Sequence, residues 1–425
     1  MNTVLFLGVG FLFLCGVLGM PIAIGIGTIS VLFTVVTASV PDASVVHRLA
    51  LATESWPLMA VPFFMLMGEA LSRGKGGQYM MDLAHELVGW FWGGLSAVMV
   101  VVNMFLGGCS GSAVADAASV GGVLIPEMKR RHYGAGYAAA LNATASTIGI
   151  IIPPSIPMIL FAWVTEASIR KLFLAGIVPG VLIGVAMMGI GAFLGKKYNH
   201  YRAPKPQKAV VMGLTVKSLP ALMIPLIVIG GILTGVFTTT EAAIIGALYV
   251  LIIEVCWYRS YGLRAIWEMS VEAAKMTGGV ILLIATSFML TYLIVISQVP
   301  TMLQGIMTAH IPGPTSLLLV ITAILLVSGC FLDLSPALLI FTPIFAPVAV
   351  AMGVDLIHLG VVMTMVLGIG LVTPPVGQTL FISALIAETS IEDVSRYILP
   401  FIGSILLIVL FVIFCPWSIM WAINI

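Results

Sequence analysis

The sequence predicts an all-α polytopic membrane protein, and three observations carry that prediction. Of its 425 residues, 60% are hydrophobic and 8% are charged, and the mean hydropathy is +1.18. A soluble domain carries about 25% charged residues, so this chain has too few to cover a surface facing water. The apolar residues form long continuous runs and do not alternate with period two, which excludes a membrane β-barrel.

Charge and cysteine content exclude other classes. The net charge is +1, so no bulk electrostatic attraction to nucleic acid is expected. The five cysteines lie singly in apolar stretches, without a CxxC pair, and the six histidines are scattered. This pattern predicts neither a disulfide framework nor a transition-metal site.

The apolar runs differ in length, and the short ones are informative. The first run, to about residue 40, lacks a basic start and is long enough for two spans, so it is not a cleaved signal. Several later runs are too short to cross alone and come in adjacent pairs interrupted by Gly and Pro. Such pairs predict re-entrant helical hairpins at about 88–126 and 315–350, and broken membrane helices at about 135–165 and 358–387.

A charged segment divides the chain into two halves that resemble each other. Residues 196–208 (KKYNHYRAPKPQK) are basic and lack a hydrophobic period. We therefore expect a first repeat at 1–195, a cytoplasmic linker at 196–218 and a second repeat at 219–425. At an offset of 221 residues four prolines coincide, where fewer than one is expected by chance. The matched prolines are Pro126 with Pro347, Pro153 with Pro374, Pro154 with Pro375 and Pro179 with Pro400.

Basic residues predict that the two repeats have opposite orientations. The connection at 128–132 (MKRRH) is basic, whereas its counterpart at 349–353 (AVAMG) is not. An inverted-topology repeat with both termini periplasmic places every Lys and Arg inside except Arg48, Arg170 and Lys171, in agreement with the positive-inside rule. Inverted repeats with discontinuous helices are typical of secondary transporters.

Four interruptions of the apolar runs are the candidate site: two hairpin tips, at 107–112 and 328–336, and two helix breaks, at 149–155 and 370–377. A double Pro leaves carbonyl oxygens without intrahelical donors at membrane depth, and Na+ is a suitable partner for them. The alternative is that these small residues serve close helix packing. The predicted cation-binding residues are Ser110, Ser112, Gly149, Pro153, Gly329, Asp333, Gly370 and Thr373.

New helices are predicted to begin at the same places, with Ser112, Ser335 and Thr373 as N-caps. Helix N-termini carry partial positive charge and free N–H groups, so several that meet at one point form an anion site without an Arg. We therefore expect a carboxylate substrate. The predicted substrate-binding residues are Ser155, Ser335, Gly377 and Gln378.

Few acidic residues lie within the apolar runs. Glu241 follows Thr238 at the spacing of a capping box, which predicts a helix start. Asp116 could satisfy the backbone of the first tip or line a cation route. Asp333 lies at the second tip. The sequence shows no chain of acids that would relay protons, which favours sodium coupling.

Five segments resemble the large membrane subunit (DctM type) of tripartite ATP-independent periplasmic (TRAP) transporters, in order along essentially the whole chain. The resemblance implies Na+-driven import of an organic acid across the bacterial inner membrane by an elevator mechanism. It also implies a periplasmic substrate-binding protein and a separate small four-helix membrane subunit. The segments are Ser110–Asp116 (SGSAVAD), Pro153–Pro157 (PPSIP), Gly230–Gly235 with Thr239–Ala243, Asp333–Pro336 (DLSP) and Thr373–Gly377 (TPPVG).

Two other functions compete with that of a secondary transporter. The permease of an ATP-driven importer needs a cytoplasmic coupling helix, for which 254–275 is the only candidate. An intramembrane enzyme is not favoured, because the sequence contains no HExxH and no GxSxG motif.

Overall fold

The computed structural model describes residues 22–37, 47 and 56–421, and these form helices joined by short turns, with no strand among them. The all-α prediction is confirmed for this part of the chain. The first of the two spans expected before residue 40, at about 3–20, lies outside the described residues. In the first half the helices are α1 Ile22–Thr37, α2 Ala60–Arg73, α3 Lys75–Val88, α4 Gly94–Ser110, α5 Ala113–Arg130, α6 Ala135–Ser146, α7 Ile156–Thr165 and α8 Ile169–Lys197. In the second half they are α9 Lys208–Leu233, α10 Thr239–Ile252, α11 Leu263–Ile296, α12 Val299–His310, α13 Pro314–Gly329, α14 Leu334–Ala351, α15 Leu356–Gly370, α16 Gln378–Ala387, α17 Ile391–Phe414 and α18 Trp417–Met420.

Among the described helices, six are long and apolar enough to cross a membrane, and six more are apolar but shorter. The long ones are α8, α9, α10 with the π-helical turn Ile253–Trp257 that continues it, α11, α14 and α17. The chain is therefore a multi-pass membrane protein that also contains short apolar helices. The longest helix, α11, has 34 residues and begins well before the continuous apolar run that starts at about residue 278. Its exposed Glu268, Glu272 and Lys275 interrupt the apolar run without ending the helix.

Two helical hairpins form close to the predicted positions. Helices α4 and α5 are joined at Gly111 and Ser112, and Gly111 has a φ of +62°, which favours glycine. Helices α13 and α14 are joined by residues 330–333. Helix α5 continues through Pro126 to Arg130, beyond the predicted end of the first hairpin. The bounds of α5 recur in α14, 221 residues later at both ends.

Both predicted helix breaks are present. Helix α6 tightens into a 3-10 turn at Thr147–Ile150, and a turn containing Pro153 and Pro154 precedes α7. Helix α15 ends at Gly370, and a turn containing Pro374 and Pro375 precedes α16. Both Pro–Pro peptide bonds are cis.

The helices pack in two groups. Helices α5, α16 and α17 pack on α6, and α13 and α14 pack on α15, so the two hairpins and the two broken helices form one group. Helices α1 and α2 pack on α11, α2 also packs on α10, and α10 packs on α9. These five helices form the other group. We call the first the hairpin group and the second the frame group.

Helix α3 joins the two groups and was not predicted, because it is amphipathic and lacks a continuous apolar run. Its N-terminus is held by Glu254, which is fully buried. The Glu254 carboxylate accepts hydrogen bonds from the backbone N–H of Lys75 at 3.2 Å and of Gly76 at 2.8 Å, and from the Ser260 hydroxyl at 2.5 Å. A Cβ atom on Gly74 would collide with this carboxylate, so α3 is fixed to the end of α10.

Most of the segment 196–218, the expected linker, belongs to the two flanking helices. Helix α8 includes Lys197 and α9 begins at Lys208, so only residues 198–207 of the expected 196–218 segment lie outside helices. These residues lie against the connection between α3 and α4. The Ala203 N–H donates to the Gly89 carbonyl at 3.0 Å, and the Arg202 guanidinium donates to the Trp90 carbonyl at 3.2 Å.

The predicted capping box is confirmed at the start of α10. The Thr238 N–H donates to a Glu241 carboxylate oxygen at 2.8 Å, and the Glu241 N–H donates to the Thr238 hydroxyl at 3.3 Å. Glu241 therefore stabilises a helix start.

Candidate functional site

A cavity of about 630 Å³ lies where the two hairpin tips and the two helix breaks meet. Helices α1, α2 and α11 close its other side, so it lies between the hairpin group and the frame group. We call it the first cavity. Four residues of the predicted site line it: Ser112, Asp333, Ser335 and Gln378.

Four helix N-termini border the first cavity, those of α5, α7, α14 and α16. Ser112 caps α5, since its hydroxyl accepts from the Ala115 N–H at 3.4 Å. Of the described residues that line the cavity, Asp333 is the one titratable residue, and none is Lys, Arg or His. The partial positive charge at the four N-termini is therefore the feature of this wall that attracts an anion.

Ser155 and Gly377 serve the helix breaks and do not line the cavity. Ser155 is fully buried; its hydroxyl donates to the Ile150 carbonyl at 2.5 Å and accepts from the Met158 N–H at 3.3 Å. It therefore ties the two sides of the first break together. A Cβ atom on Gly377 would approach the Leu371 carbonyl oxygen to 2.9 Å, so the second break is packed tightly there.

The first tip holds a buried carboxylate. Asp116 is 2% exposed, and its Oδ1 accepts a hydrogen bond of 2.6 Å from the Ser110 hydroxyl. Its Oδ2 has no hydrogen-bond partner. That oxygen faces Gly149 of the first break, where a Cβ atom would collide with it. A Cβ atom on Gly107 would stand 3.1 Å from the same oxygen. A buried polar atom of this kind calls for a ligand or a proton.

The carbonyls of the first double Pro face the same tip. A Cβ atom on Gly111 would stand 2.7 Å from the Pro154 carbonyl oxygen, and one on Gly108 would stand 3.5 Å from that of Pro153. A carboxylate oxygen, a hydroxyl and backbone carbonyls are hard oxygen donors, which fit a cation such as Na+. The structure brings Asp116 together with Ser110, Gly149 and Pro153 of the predicted site. The sequence alone did not decide whether Asp116 satisfies the tip backbone or lines a cation route.

The second tip meets the second break through two glycines. A Cβ atom on Gly370 would stand 2.7 Å from the Gly329 carbonyl oxygen, so neither position accepts a larger residue without movement. The Val376 N–H donates to the Cys330 carbonyl at 3.3 Å across the same contact. The Thr373 hydroxyl donates to the Ile369 carbonyl at 2.7 Å, which leaves the lone pairs of its oxygen available.

Thr379 is a further residue of the second break that sequence reasoning missed. It is fully buried, and both its hydroxyl and its N–H donate to the Leu371 carbonyl, at 2.9 and 3.1 Å. It therefore holds the start of α16 against the end of α15. The sequence contains no signal for this role, because it predicted Thr373 as the N-cap, whereas α16 begins at Gln378 with Gly377 as its N-cap.

The sequence profile of the tripartite ATP-independent periplasmic transporter family, DctM component, matches residues 9–418. The chain belongs to this family. A DctM-family protein is a component of a transporter and not an enzyme. Family membership also excludes the ATP-driven importer, and it implies a small membrane subunit and a periplasmic binding protein as partners.

Individual relatives agree with the DctM assignment. The chain is 38% identical over 370 residues to a putative TRAP transporter large permease protein of Haemophilus influenzae, covering 87% of each chain. It is 36% identical over 366 residues, or 85% of each chain, to the 2,3-diketo-L-gulonate TRAP transporter large permease protein YiaN of Escherichia coli. It is 35% identical over 408 residues to the isethionate TRAP transporter permease protein DctMQ of Oleidesulfovibrio alaskensis, covering 96% of this chain and 64% of that one.

A solved structure shares the fold of this DctM-family chain. It is the Alcanivorax borkumensis YdaH transporter, described as having an unusual topology. The TM-score is 0.59 at 15% identity, over 90% of this chain and 88% of that one. At this identity the likeness concerns the fold alone.

Proposed function

We propose that this chain carries an organic acid into the cytoplasm by symport with Na+, across the bacterial inner membrane. The observation that carries the proposal is the first cavity, where four helix N-termini meet close to a buried carboxylate oxygen without a partner. The four helix N-termini suit an anion, and the buried carboxylate oxygen suits a cation.

The substrate is an organic anion held by backbone N–H groups and hydroxyls. The described residues of the lining include no basic side chain, so the α5, α7, α14 and α16 N-termini provide the favourable potential. Ser335 and Gln378 lie on the wall and offer hydrogen bonds to the substrate, while Ser155 and Gly377 shape the breaks behind it. Relatives are named for a diketo sugar acid and for a sulfonate, both anions.

A first Na+ binds between the first tip and the first break. Oδ2 of Asp116 is its charged ligand, and the oxygens of Ser110, Ser112, Gly149 and Pro153 complete the set. Two facts support this assignment: Oδ2 is buried without a partner, and it lies directly against Gly149. Transfer of this oxygen out of water without a counter-charge would cost several kcal/mol.

A second Na+ binds at the matching place in the other half, between Gly329 and Gly370, with Thr373 and Asp333 supplying oxygens. The close approach of Gly329 and Gly370 supports it, as does the free acceptor capacity of the Thr373 hydroxyl. We expect more than one Na+ for each substrate molecule because each half supplies one such place.

The two halves are inverted-topology repeats, and the hairpin group moves past the frame group as an elevator. The shared bounds of α5 and α14 support the repeat. The position of the first cavity between the two groups supports relative movement, since both groups contribute to its wall.

A periplasmic binding protein delivers the substrate, and a small four-helix subunit braces the frame group. Among the described segments between helices, the longest is 198–207, so the described chain has no domain able to capture a ligand. High-affinity capture is therefore assigned to the binding protein.

Uptake into proteoliposomes tests the proposal. The chain is reconstituted with its small subunit, the binding protein is added, and labelled diketo sugar acids, dicarboxylates and sulfonates are offered. We expect concentrative uptake under an inward Na+ gradient at equal pH, and none when choline replaces Na+. Equal uptake driven by a pH step without Na+ would refute sodium coupling.

A further inference from the structure

A second cavity, of about 610 Å³, shares no lining residue with the first. Its wall is formed by the C-terminal end of α7, the later part of α11, α14 and the start of α15. Along α11 the first cavity contacts residues 276–283 and the second contacts 287–295. Their centres are therefore about 16 Å apart along that helix.

Ser287 lines this second cavity and is the sign that a ligand belongs there. It is 2% exposed, and its Oγ has no hydrogen-bond partner. A Ser or Thr inside a helix commonly donates to the carbonyl one turn back, which satisfies its hydroxyl. The other hydroxyl side chains of α11 do so: Ser270 to Ile266, Thr277 to Ala273, Thr286 to Leu282 and Thr291 to Ser287.

The second cavity differs from the first in the helix ends near its acidic residue: four helix N-termini border the first cavity, whereas the acidic residue of the second lies at a helix C-terminus. Of the described residues that line it, Glu166 is the one titratable residue. Glu166 is exposed at the C-terminal end of α7, where the helix dipole adds negative potential. The organic acid of the first cavity is therefore disfavoured here, and a cation is favoured.

Apart from Thr165 and Thr291, the remaining wall is apolar and aromatic. The rings of Trp163 and Phe288 lie with centroids 5.3 Å apart, and Leu339, Pro343 and Val295 contribute aliphatic surface. A Trp ring also attracts an ammonium group placed over its face. An apolar pocket with a few polar groups is the usual form of a small-molecule site.

We propose that the second cavity is a binding site for an aromatic amine. The ring system packs among Trp163, Phe288 and Pro343, while the ammonium group faces Glu166 and donates a hydrogen bond to the Ser287 hydroxyl. Because α11 belongs to the frame group and α7 and α14 to the hairpin group, the bound amine also blocks their relative movement. This last consequence rests on the proposed transport function, whereas binding does not.

Binding is tested with purified chain and 2-(1-naphthyl)ethylamine by isothermal titration calorimetry, without substrate or ion gradient. We expect saturable binding that is about 10-fold weaker in Glu166→Gln, which removes the charge attraction, and about 5-fold weaker in Ser287→Ala. Ala346→Leu fills the cavity from the α14 side and should abolish binding, with an unchanged unfolding temperature as the check on folding.

The matched control is Glu388→Gln. Glu388 also follows a short helix with a positive φ, of +54°, but it pairs with Lys129 and does not line the second cavity. Binding by this variant should equal that of the wild type. The proposal is overturned if 1-naphthylacetate binds as tightly as the amine, or if Glu166→Gln and Ser287→Ala bind the amine as the wild type does.

Transport supplies an independent test of the blocking effect. The amine should lower the maximal uptake rate of the reconstituted transporter without raising the apparent KM for the acid. Inhibition that excess acid relieves would place the amine in the first cavity and overturn the proposal.

Discussion

Oδ2 of Asp116 lies so close to Gly149 that a Cβ atom on that residue would collide with it, and this oxygen has no hydrogen-bond partner. The two residues are on different elements, one in the second arm of a hairpin and the other in a broken helix. Their contact leaves a buried carboxylate oxygen that needs a proton, a cation or a hydrogen-bond donor. Glycine at 149 is therefore required for access to that oxygen.

Asp116→Asn should weaken Na+ activation of transport. The amide keeps the shape but removes the negative charge, so we expect the half-saturating Na+ concentration to rise by about 10- to 100-fold, the equivalent of about 1.5–3 kcal/mol. The measurement is initial uptake rate against Na+ concentration in proteoliposomes. Asp82→Asn, in the amphipathic helix α3, is the control and should retain wild-type activation. Wild-type Na+ dependence in Asp116→Asn would show that the carboxylate only supports the tip backbone.

Thr373→Ala should also weaken Na+ activation, by about 10-fold, because it removes a hydroxyl oxygen from the proposed second cation site. Thr364→Ala, in the preceding helix α15, is a matched control. The Thr364 hydroxyl donates to the Gly360 carbonyl at 2.8 Å, as that of Thr373 donates to the Ile369 carbonyl at 2.7 Å. Thr373→Ser should recover most of the Na+ affinity. If Thr364→Ala is affected as strongly as Thr373→Ala, the effect belongs to helix packing.

Glu254→Ala should destabilise the fold, although Glu254 does not line the first cavity. It leaves the Lys75 and Gly76 N–H groups and the Ser260 hydroxyl without their shared acceptor, at a cost on the order of 3 kcal/mol. The readout is the thermal unfolding temperature in detergent. Glu69→Ala is the comparison, because Glu69 pairs with Arg73, which is half exposed, and such pairs contribute about 0–1 kcal/mol. Equal losses in the two variants would contradict a specific role for Glu254 in fixing α3.

The inverted topology predicts a difference in labelling. In a background with all five cysteines replaced by Ser, Gln207→Cys should not react with an impermeant maleimide added outside intact cells. Ala351→Cys should react, since the proposed orientation places the end of α14 on the periplasmic side. Both positions are exposed, so accessibility within the protein does not decide the result. Permeabilised cells supply the control, in which both should react; the reverse pattern in intact cells would reject the orientation.

The hairpin tips and helix breaks could be predicted because their signals are local. Gly, Pro and N-cap residues interrupt apolar runs within a few positions, and those interruptions were found close to where they occur. The partners of Asp116 and Glu254 could not be predicted in the same way. Asp116 meets Gly149 from another element, and Glu254 binds a backbone N–H 178 residues away. A long-range contact between a side chain and the backbone leaves no periodicity in the sequence.

Helix α3 and the early part of α11 were missed for a related reason. Charged residues on one face of a helix interrupt an apolar run but do not end the helix, so run length underestimates helices that extend beyond the apolar core. The residues predicted to bind the substrate show the same limit of sequence reasoning. Ser335, Gln378 and Ser155 were all predicted to bind the substrate. Ser335 and Gln378 line the first cavity, whereas the Ser155 hydroxyl bonds to the backbone of Ile150 and Met158.

The bond between Ala203 and Gly89 has a mechanical consequence. It fastens the connection between α8 and α9 to the connection between α3 and α4, and Arg202 adds a second link to Trp90. Two chain crossings between the groups are thereby merged into one attachment point. An attachment at a single point on one side resists sliding more than it resists turning about that point. The proposed elevator movement should therefore include a rotation whose pivot lies at residues 89–93 and 198–207.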